Sequence, residues 1–452
     1  MKKQMPNEDR LSTKEVIGYG IGDLAYTMVF SFMSSYLLYY YTDIAGLTVG
    51  AAGTVMSCAR LIDAAANPVV GALSDKTHTR WGKLRPYLLF STVPLALSVI
   101  LMLLAARIPA GGRSVYAMVT YAGFCLLYTV SNVPYSAMMP NLSEKSVQRA
   151  RLNRSRMAFA SAGSFLSMGL SLPFIGFFGQ GNEQQGFLGL GVLFAAIILV
   201  LLFACFFNTK ERIQPPPVPF SLKTLGQTIR KSQPWVLCCA IQFFHFLATS
   251  IRNSTTLYYT KYHLGSQDFA SLLLASSSVM FFCAALLVPI MVKQYSKLMV
   301  SVTGYALFTA GTLLIYWAGT NLTMIFLLNC LSGLGASLSS SVSFLMLGEA
   351  IDHSEYTTGL RQQGLLTSVS MFMVKLGVMF SSAISAFVLD WGGYVPDQPQ
   401  TAGGMSAIQA NFVFLPAIGG AVCLAVLAFY RLDKEYPAIR ETLNQKRGKG
   451  QV

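Results

Sequence analysis

The chain has 452 residues, of which 53% are hydrophobic and only 12% are charged. A soluble protein carries about 25% charged residues, so the composition excludes an ordinary soluble domain and predicts a polytopic membrane protein with many bilayer-length apolar runs. The excess of 33 Lys and Arg over 19 Asp and Glu does not require nucleic acid, because the cytoplasmic loops of membrane proteins are normally basic.

Twelve membrane spans are predicted in two sets of six. The first set is 16–41, 49–74, 86–106, 114–138, 157–179 and 187–207, and the second is 234–258, 267–292, 298–319, 321–346, 365–388 and 409–431. The predicted fold class is therefore an all-α polytopic membrane protein with two six-helix bundles. Its predicted domains are the N-terminal bundle at 1–207, a cytoplasmic central loop at 208–233, the C-terminal bundle at 234–431 and a polar cytoplasmic tail at 432–452.

The distribution of basic residues predicts how these spans are oriented in the membrane. With the N-terminus inside, 27 of the 33 Lys and Arg fall in inside segments, three in outside loops and three within spans. The positive-inside rule then predicts that both termini are cytoplasmic. Six plus six spans around a basic central loop resemble the major facilitator arrangement, in which two bundles alternate around a midplane cavity. The expected location is a bacterial inner membrane, crossed many times.

Span one contains an acid about two turns from its start, Asp23 in GYGIGDLAYTM. Three glycines beside it (Gly18, Gly20 and Gly22) favour close helix packing or a close approach of ligand. An acid at the cytoplasmic interface is the plainer alternative.

Span two carries Arg60, Asp63 and Asn67 on one helical face. A carboxylate at mid-depth is a natural protonatable group, and the face predicts an ion or substrate path. The alternative is a neutralised Arg60–Asp63 pair that holds the bundle together.

Span four ends in a polar and aromatic strip. Its members are Tyr128, Thr129, Asn132, Tyr135 and Ser136. Sugars bind to flat aromatic faces combined with hydrogen-bonding groups, and this strip offers both. Hydrogen bonding between helices would explain it equally well.

Three further cations lie in or next to the apolar runs. Arg156 is the member of a basic cluster that lies closest to span five, and Arg252 of span seven is expected to snorkel outward or to gate. Lys375 lies in the middle of span eleven, where it needs a partner. Asp63 and Asp23 are the predicted candidates.

Two charged segments predict a cytoplasmic gate. The turn after span two is basic and the end of span ten is acidic, so a closing network of salt bridges between them is expected. Its predicted members are Arg80, Lys83 and Arg85 with Glu349, Asp352 and Glu355. A solvated acidic helix end is the alternative.

Several of these segments together resemble the glycoside–pentoside–hexuronide:cation symporters of the major facilitator superfamily. They are GDLAYTM and YYYTDIAG in span one, RLIDAAANP and RWGKLRP in and after span two, and EAIDHSEYTTGLRQQG in span ten. The resemblance covers about 10–432. It implies symport of a sugar with Na⁺, H⁺ or Li⁺ by alternating access, with the glycoside between spans one, four, five and eleven.

The resemblance also assigns residues. The implied substrate-binding set is Asp23, Asn132, Tyr135, Ser136, Arg156 and Lys375, and the implied cation-coupling set is Asp63, Asn67 and Thr129. Asn67 and Ala66 stand where the family has cation ligands, and Asn132 and Ser136 replace an acid and an aromatic residue. The loss of these ligands disfavours Na⁺, because Na⁺ needs several hard oxygen ligands, and favours H⁺ coupling at Asp63.

The remaining expectations concern alternatives and partners. Na⁺ coupling at Asp63, an uncoupled uniporter and a sugar sensor that does not transport are the rivals, and a drug or lipid exporter is disfavoured by the charged residues. Loss of the span-four acid would suit an anionic glycoside such as a hexuronide. No cofactor, no nucleic acid and no enzymatic activity are expected, and the protein is expected to work as a monomer in contact with membrane lipid.

Overall fold

The computed structural model describes most of the chain. The described ranges are 11–77, 79–143, 146–212, 232–358, 363–396, 398–433, 435–436, 438–439 and 441–442. The chain divides into two compact units, Met1–Pro217 and Val218–Val452. This boundary falls inside the predicted loop 208–233, most of which lies outside the described residues.

Six long helices build the first unit. They are α1 (Thr13–Ile44), α2 (Val49–Lys76), α3 (Arg85–Met102), α4 (Ala110–Ala137), α5 (Ser146–Gly179) and α6 (Glu183–Asn208). A 3-10 turn at Ala105–Arg107 follows α3, and a single helical turn at Met139–Leu142 follows α4.

Six long helices also build the second unit. They are α7 (Gln233–His263), α8 (Phe269–Gln294), α9 (Lys297–Trp317), α10 (Leu322–Thr358), α11 (Gln363–Trp391) and α12 (Ala402–Ala428).

All twelve helices are long and apolar enough to cross a bilayer, and no strand occurs within the described ranges. This confirms the predicted all-α fold with twelve spans. Side-chain caps begin several of the helices, with Ser12, Thr48, Asn182, Ser296 and Thr401 each accepting a hydrogen bond from a backbone N–H in the first turn.

Several helices run beyond the predicted spans. Helix α5 begins at Ser146, so the cluster predicted as a basic loop at 141–156 is largely helical. Helix α12 begins at Ala402 rather than 409, and α10 continues to Thr358. The predictions followed the apolar window, whereas the backbone hydrogen bonds of a helix continue through polar ends in the headgroup region.

The two units share one detail that hydropathy does not reveal. Helix α1 ends in a π-helical turn, Tyr40–Ile44, and α7 ends in another, Tyr259–His263. Each turn is followed by a glycine in the left-handed region, Gly46 at a φ of 66° and Gly265 at 67°. The underlying segments YYTDIAG and YTKYHLG are thus structural counterparts, which indicates an internal repeat.

The chain after α12 packs onto the second unit. Leu432 and Ile439 are buried in the same apolar cluster as Trp235 and Ile351. The segment predicted as a polar tail from 432 therefore begins with residues that pack on the bundle, while its cytoplasmic location stays a prediction. The sequence did not indicate this packing, because two apolar residues seven positions apart are too few to raise the mean hydropathy of a charged segment.

Candidate functional site

An ion pair between α1 and α5 forms the first charged cluster of the first unit. The Arg156 guanidinium donates to the Asp23 carboxylate through Nε, and Nη2 lies 3.3 Å from Oδ1. The two side chains are 19% and 13% exposed. The structure therefore brings together the acid of span one and the arginine of span five, which are 133 residues apart in the sequence.

Glycines explain how α1 comes so close to its neighbours. A Cβ at Gly22 would lie 2.6 Å from the ring of Tyr135, and one at Gly163 of α5 would lie 2.5 Å from the carbonyl oxygen of Leu24. No side chain fits at these distances, so the backbones pack directly. Of the two readings of the glycines around Asp23, close helix packing is the one seen here.

Two tyrosines lie beneath the guanidinium. Arg156 Cζ is 5.6 Å from the ring centroid of Tyr19 and 5.3 Å from that of Tyr135. Each tyrosine hydroxyl donates to the other residue's carbonyl oxygen, at 2.7 Å from Tyr135 and 3.1 Å from Tyr19. The two rings therefore hold the guanidinium of Arg156 in place by cation–π contacts.

The predicted strip of span four divides between two environments. Tyr135 is completely buried and supports Arg156, whereas Asn132 is half-buried and Ser136 is exposed. Tyr135 thus has a different surrounding from the one expected of a ring that contacts sugar directly. Tyr19 was missed by the sequence reasoning, because a tyrosine in an apolar span carries no signal of its own.

A second charged cluster lies between α2 and α4. The Thr129 hydroxyl donates to Asp63 Oδ1, and the Asp63 carboxylate is buried. The Asn67 amide donates to the backbone carbonyl of Asp63 at 2.6 Å. The structure therefore places the three predicted cation-coupling residues in one group, with the Asn67 amide turned back onto its own helix.

Arg60 is buried one turn before Asp63. Its Nε donates to the Tyr121 hydroxyl at 2.8 Å, Nη2 lies 3.5 Å from Ser34 Oγ, and Cζ lies 5.1 Å from the ring centroid of Phe30. These contacts tie α2 to α1 and α4. They are the partners that burial of a guanidinium requires, and the sequence pattern did not identify them.

The basic turn after α2 is anchored inside its own unit. The Arg85 guanidinium donates to the carbonyl oxygens of Phe206 at 2.8 Å and Trp81 at 3.2 Å, and Arg80 lies 4.1 Å from the ring centroid of Trp81. These hydrogen bonds of Arg85 and this ring contact of Arg80 stay within the first unit. A contact with the acids of α10 stays a prediction.

Glu211 organises this turn. Its carboxylate accepts hydrogen bonds from the backbone N–H groups of Lys83, Leu84 and Arg85 at 3.1, 2.8 and 2.8 Å, and Asn141 Nδ2 lies 3.3 Å from Oε2. A carboxylate at the N-terminus of α3 satisfies donors that the helix leaves open and complements its dipole. Sequence reasoning missed Glu211, although it is the only acid in 208–233.

The acids of α10 also find partners within their own unit. Lys297 at the start of α9 forms an ion pair with Glu349, and the Tyr436 hydroxyl donates to Asp352 Oδ2 at 2.8 Å. Glu355 is buried. Sequence reasoning placed these acids correctly on a helix but missed Lys297 and Tyr436.

Arg252 does not snorkel to a surface, so that part of the expectation is wrong, while a role in gating stays a prediction. It is 7% exposed, and its guanidinium donates to Thr312 Oγ1 at 2.7 Å, Ser332 Oγ at 2.6 Å and Asn329 Oδ1 at 2.8 Å. Three neutral acceptors from α9 and α10 satisfy the guanidinium inside the bundle. A stem that would otherwise reach outward is held by these bonds.

Lys375 is half-buried in α11. Its predicted pairing with Asp63 or Asp23 stays a prediction.

The sequence profile of the MFS/sugar transport protein family matches residues 18–434. The chain belongs to this family. Among relatives, the isoprimeverose transporter of Lactiplantibacillus pentosus is 31% identical over 452 residues, covering 98% of this chain and 93% of that one. The putative glycoside/cation symporter YagG of Escherichia coli is 30% identical, covering 98% and 97%. The resemblance to the glycoside:cation symporters is thereby confirmed.

Solved structures share the fold of this MFS/sugar transport protein. The D-xylose-proton symporter superposes with a TM-score of 0.66 at 13% identity, covering 94% of this chain and 99% of that one. The nucleoside transporter NupG superposes with a TM-score of 0.68 at 13% identity, covering 93% and 100%. These superpositions confirm the major facilitator fold, and the twelve apolar helices identify this member of the family as a multi-pass membrane protein.

Proposed function

We propose that this protein carries a glycoside together with a proton by alternating access, and that the glycoside binds at the Asp23–Arg156 pair. The pair supports this proposal because it offers both acceptor and donor groups to sugar hydroxyls on a rigid aromatic support. A buried ion pair costs desolvation free energy, so its presence in a membrane helix favours a functional role over plain packing. Asn132, Ser136 and Lys375 are proposed as further contacts.

The charge of the pair favours a neutral glycoside. Asp23 compensates Arg156, so the cluster has no net charge to offer an anionic substrate. This revises the expectation of a hexuronide, which counted Arg156 as available. The names of the relatives include both a neutral and an anionic glycoside. Besides the isoprimeverose transporter, a glucuronide carrier protein homolog of Escherichia coli is 30% identical over 435 residues, covering 95% of this chain.

Asp63 is the proposed proton carrier. It is a buried carboxylate that accepts a hydrogen bond from the Thr129 hydroxyl, and a single carboxylate is sufficient to carry one proton. The Asn67 amide nitrogen donates to a backbone carbonyl. Its side chain has one oxygen where a second carboxylate would have two, so the site offers fewer oxygen ligands to Na⁺. Na⁺-coupled transport is the alternative.

The acidic end of α10 and the basic turn before α3 are proposed to close the cytoplasmic side during the cycle. Both termini are proposed to be cytoplasmic, as the distribution of Lys and Arg predicts. The contacts found within each unit imply that closing the gate exchanges partners rather than pairing free charges.

Uptake into proteoliposomes tests the proposal. Isoprimeverose and a glucuronide are offered to the wild-type protein under an inward proton gradient or an inward Na⁺ gradient. We expect the proton gradient to drive accumulation of isoprimeverose. Asp63→Asn, which cannot take up a proton, should abolish gradient-driven accumulation while retaining exchange of labelled for unlabelled sugar.

The outcomes separate the alternatives. Accumulation driven by Na⁺ alone contradicts the assignment of the proton, and preferential uptake of the glucuronide contradicts the neutral substrate. Binding of sugar without any transport contradicts the transporter and supports a sensor. Asp43→Asn serves as the matched control, because Asp43 is a buried acid at the far end of α1.

A further inference from the structure

A continuous row of aromatic side chains joins the two charged clusters of the first unit. One end lies against Arg156 of the Asp23 pair, and the other lies against Arg60, one turn from Asp63. In order from Arg156, this aromatic row consists of Tyr135, Tyr26, Tyr128 and Phe30.

The first half of the aromatic row is fully buried. Arg156 Cζ lies 5.3 Å from the ring centroid of Tyr135, which lies 5.0 Å from that of Tyr26. Tyr26 is 2% exposed, and its hydroxyl shares a 2.6 Å hydrogen bond with Ser131. This bond ties the Tyr26 side chain of α1 to α4, so the ring has one position rather than several.

The second half reaches the Asp63 cluster. The ring of Tyr26 meets that of Tyr128 edge to face, with centroids 5.7 Å apart and an interplanar angle of 87°. Tyr128 and Phe30 follow at 6.3 Å, and Arg60 Cζ lies 5.1 Å from the Phe30 ring. These spacings are those of aromatic and cation–π contacts.

The residue next to Tyr128 completes the connection. Thr129 donates its hydroxyl to Asp63, so a rotation of α4 that moves the Tyr128 ring also moves the donor of the carboxylate. A second branch runs from Tyr128 through Phe124 to Tyr121, with centroids 5.9 and 6.2 Å apart, and Tyr121 holds Arg60. Close-packed interiors transmit such displacements because they have little free volume.

We propose that the aromatic row couples the sugar site to the cation site, and that Tyr26 is its central positioning residue. A glycoside that engages Asp23 and Arg156 shifts the guanidinium on the Tyr135 ring. The row carries this shift through Tyr26 and Tyr128 to the Thr129–Asp63 bond, where it changes the affinity for the coupling cation. This inference rests on the proposed function and adds the element by which its two sites communicate.

Plain core packing is the competing interpretation, and it predicts a different set of mutant effects. A packing residue contributes to stability and to both affinities without linking them. A coupling residue changes the factor by which one ligand alters the affinity for the other. The measurement must therefore yield that factor and not uptake alone.

Binding of isoprimeverose and of a glucuronide to purified full-length protein is measured at about pH 5.5 and about pH 8, with and without Na⁺. The ratio of dissociation constants without and with the cation is the coupling factor. For the wild-type protein we expect a factor of roughly 5 to 150. For Tyr26→Leu we expect a factor close to one, with the sugar still bound.

Three variants accompany this measurement. Tyr26→Phe keeps the ring and should retain most of the coupling. Tyr36→Leu removes another fully buried tyrosine of α1, whose hydroxyl donates to Met168 O at 2.6 Å outside the row, and should leave the factor unchanged. Tyr128→Leu interrupts the row at a half-buried position and should also lower the coupling factor to about one. It replaces Tyr26→Leu in the test if that variant folds poorly.

The outcomes are distinguishable. Full coupling in both Tyr26→Leu and Tyr128→Leu overturns the inference and leaves the proposed function standing. Equal loss of coupling in Tyr36→Leu also overturns it, because the effect would then be general to the packing of α1. A wild-type protein that binds neither sugar contradicts the proposed function, and the inference with it.

Discussion

The guanidinium groups of Arg156 and Arg252 are satisfied in different ways. Arg156 faces a carboxylate, whereas Arg252 is surrounded by hydroxyl and amide oxygens of neighbouring helices. Asn329 is central to the second arrangement, since its Oδ1 accepts from Arg252 while its Nδ2 donates to Leu273 O at 3.0 Å and Ser276 Oγ at 2.8 Å. One amide therefore links three helices.

Asn329→Ala is expected to destabilise the second unit by about 2 kcal/mol, because the buried guanidinium of Arg252 loses one of its three acceptors. Asn321→Ala, at the start of the same helix, removes only an exposed cap to Met324 N and should cost about 1 kcal/mol. Thermal unfolding in detergent compares the two. Equal melting temperatures would contradict the role assigned to Asn329.

At the scale of elements, the motif RWGKLRP is shaped by a single acid from another segment. Glu211 approaches the turn so closely that a Cβ at Gly82 would lie 2.7 Å from its Oε1, and Gly82 has a φ of 112°. Glycine is thus required here both by the backbone conformation and by the carboxylate. The turn is an anchored structure that positions the start of α3.

Glu211→Ala should destabilise the start of α3 by about 2 kcal/mol, because three backbone N–H groups lose their acceptor. Glu211→Gln should have a smaller effect, since its amide oxygen still accepts. Hydrogen exchange of the backbone amides of Lys83, Leu84 and Arg85 measures this directly. Asp390→Ala, at an exposed site on α11, is the control. Unchanged exchange in Glu211→Ala would contradict the role of Glu211 as acceptor for these three N–H groups.

At the scale of the whole molecule, the two units share one local feature of the backbone and differ in their polar contacts. Both carry a π-helical turn at the end of their first helix. The first unit holds the Asp23–Arg156 and Asp63–Thr129 clusters, while the second holds the network of Arg252 and the Lys297–Glu349 ion pair. Of the residues proposed to bind the sugar or the cation, all but Lys375 belong to the first unit.

The orientation of the chain is open to a simple test. Fusion of green fluorescent protein to the C-terminus should give fluorescent cells, and fusion of alkaline phosphatase at the same point should give no phosphatase activity. The reason is the excess of Lys and Arg in the segments assigned to the cytoplasm. Active phosphatase would invert the topology and with it the side assigned to the gate.

The sequence alone determined the fold class, the number of spans and the family, because hydrophobic length and basic loops are local properties that each segment carries by itself. It also named Asp23, Arg156, Asp63 and Thr129. It could not give the helix ends at 146, 358 and 402, since polar residues continue a helix once hydrogen bonds are in place.

Only the tertiary structure decided which polar groups meet. Three sets of contacts join residues that are distant in the sequence: those of Arg156 with Tyr19 and Tyr135, those of Glu211 with the turn before α3, and those of Arg252 with α9 and α10. No spacing along the chain encodes such contacts. Burial makes these contacts necessary, because a charged group inside the bundle is costly unless it is paired or hydrogen-bonded. The packing of the helices decides which groups lie close enough to serve as its partners.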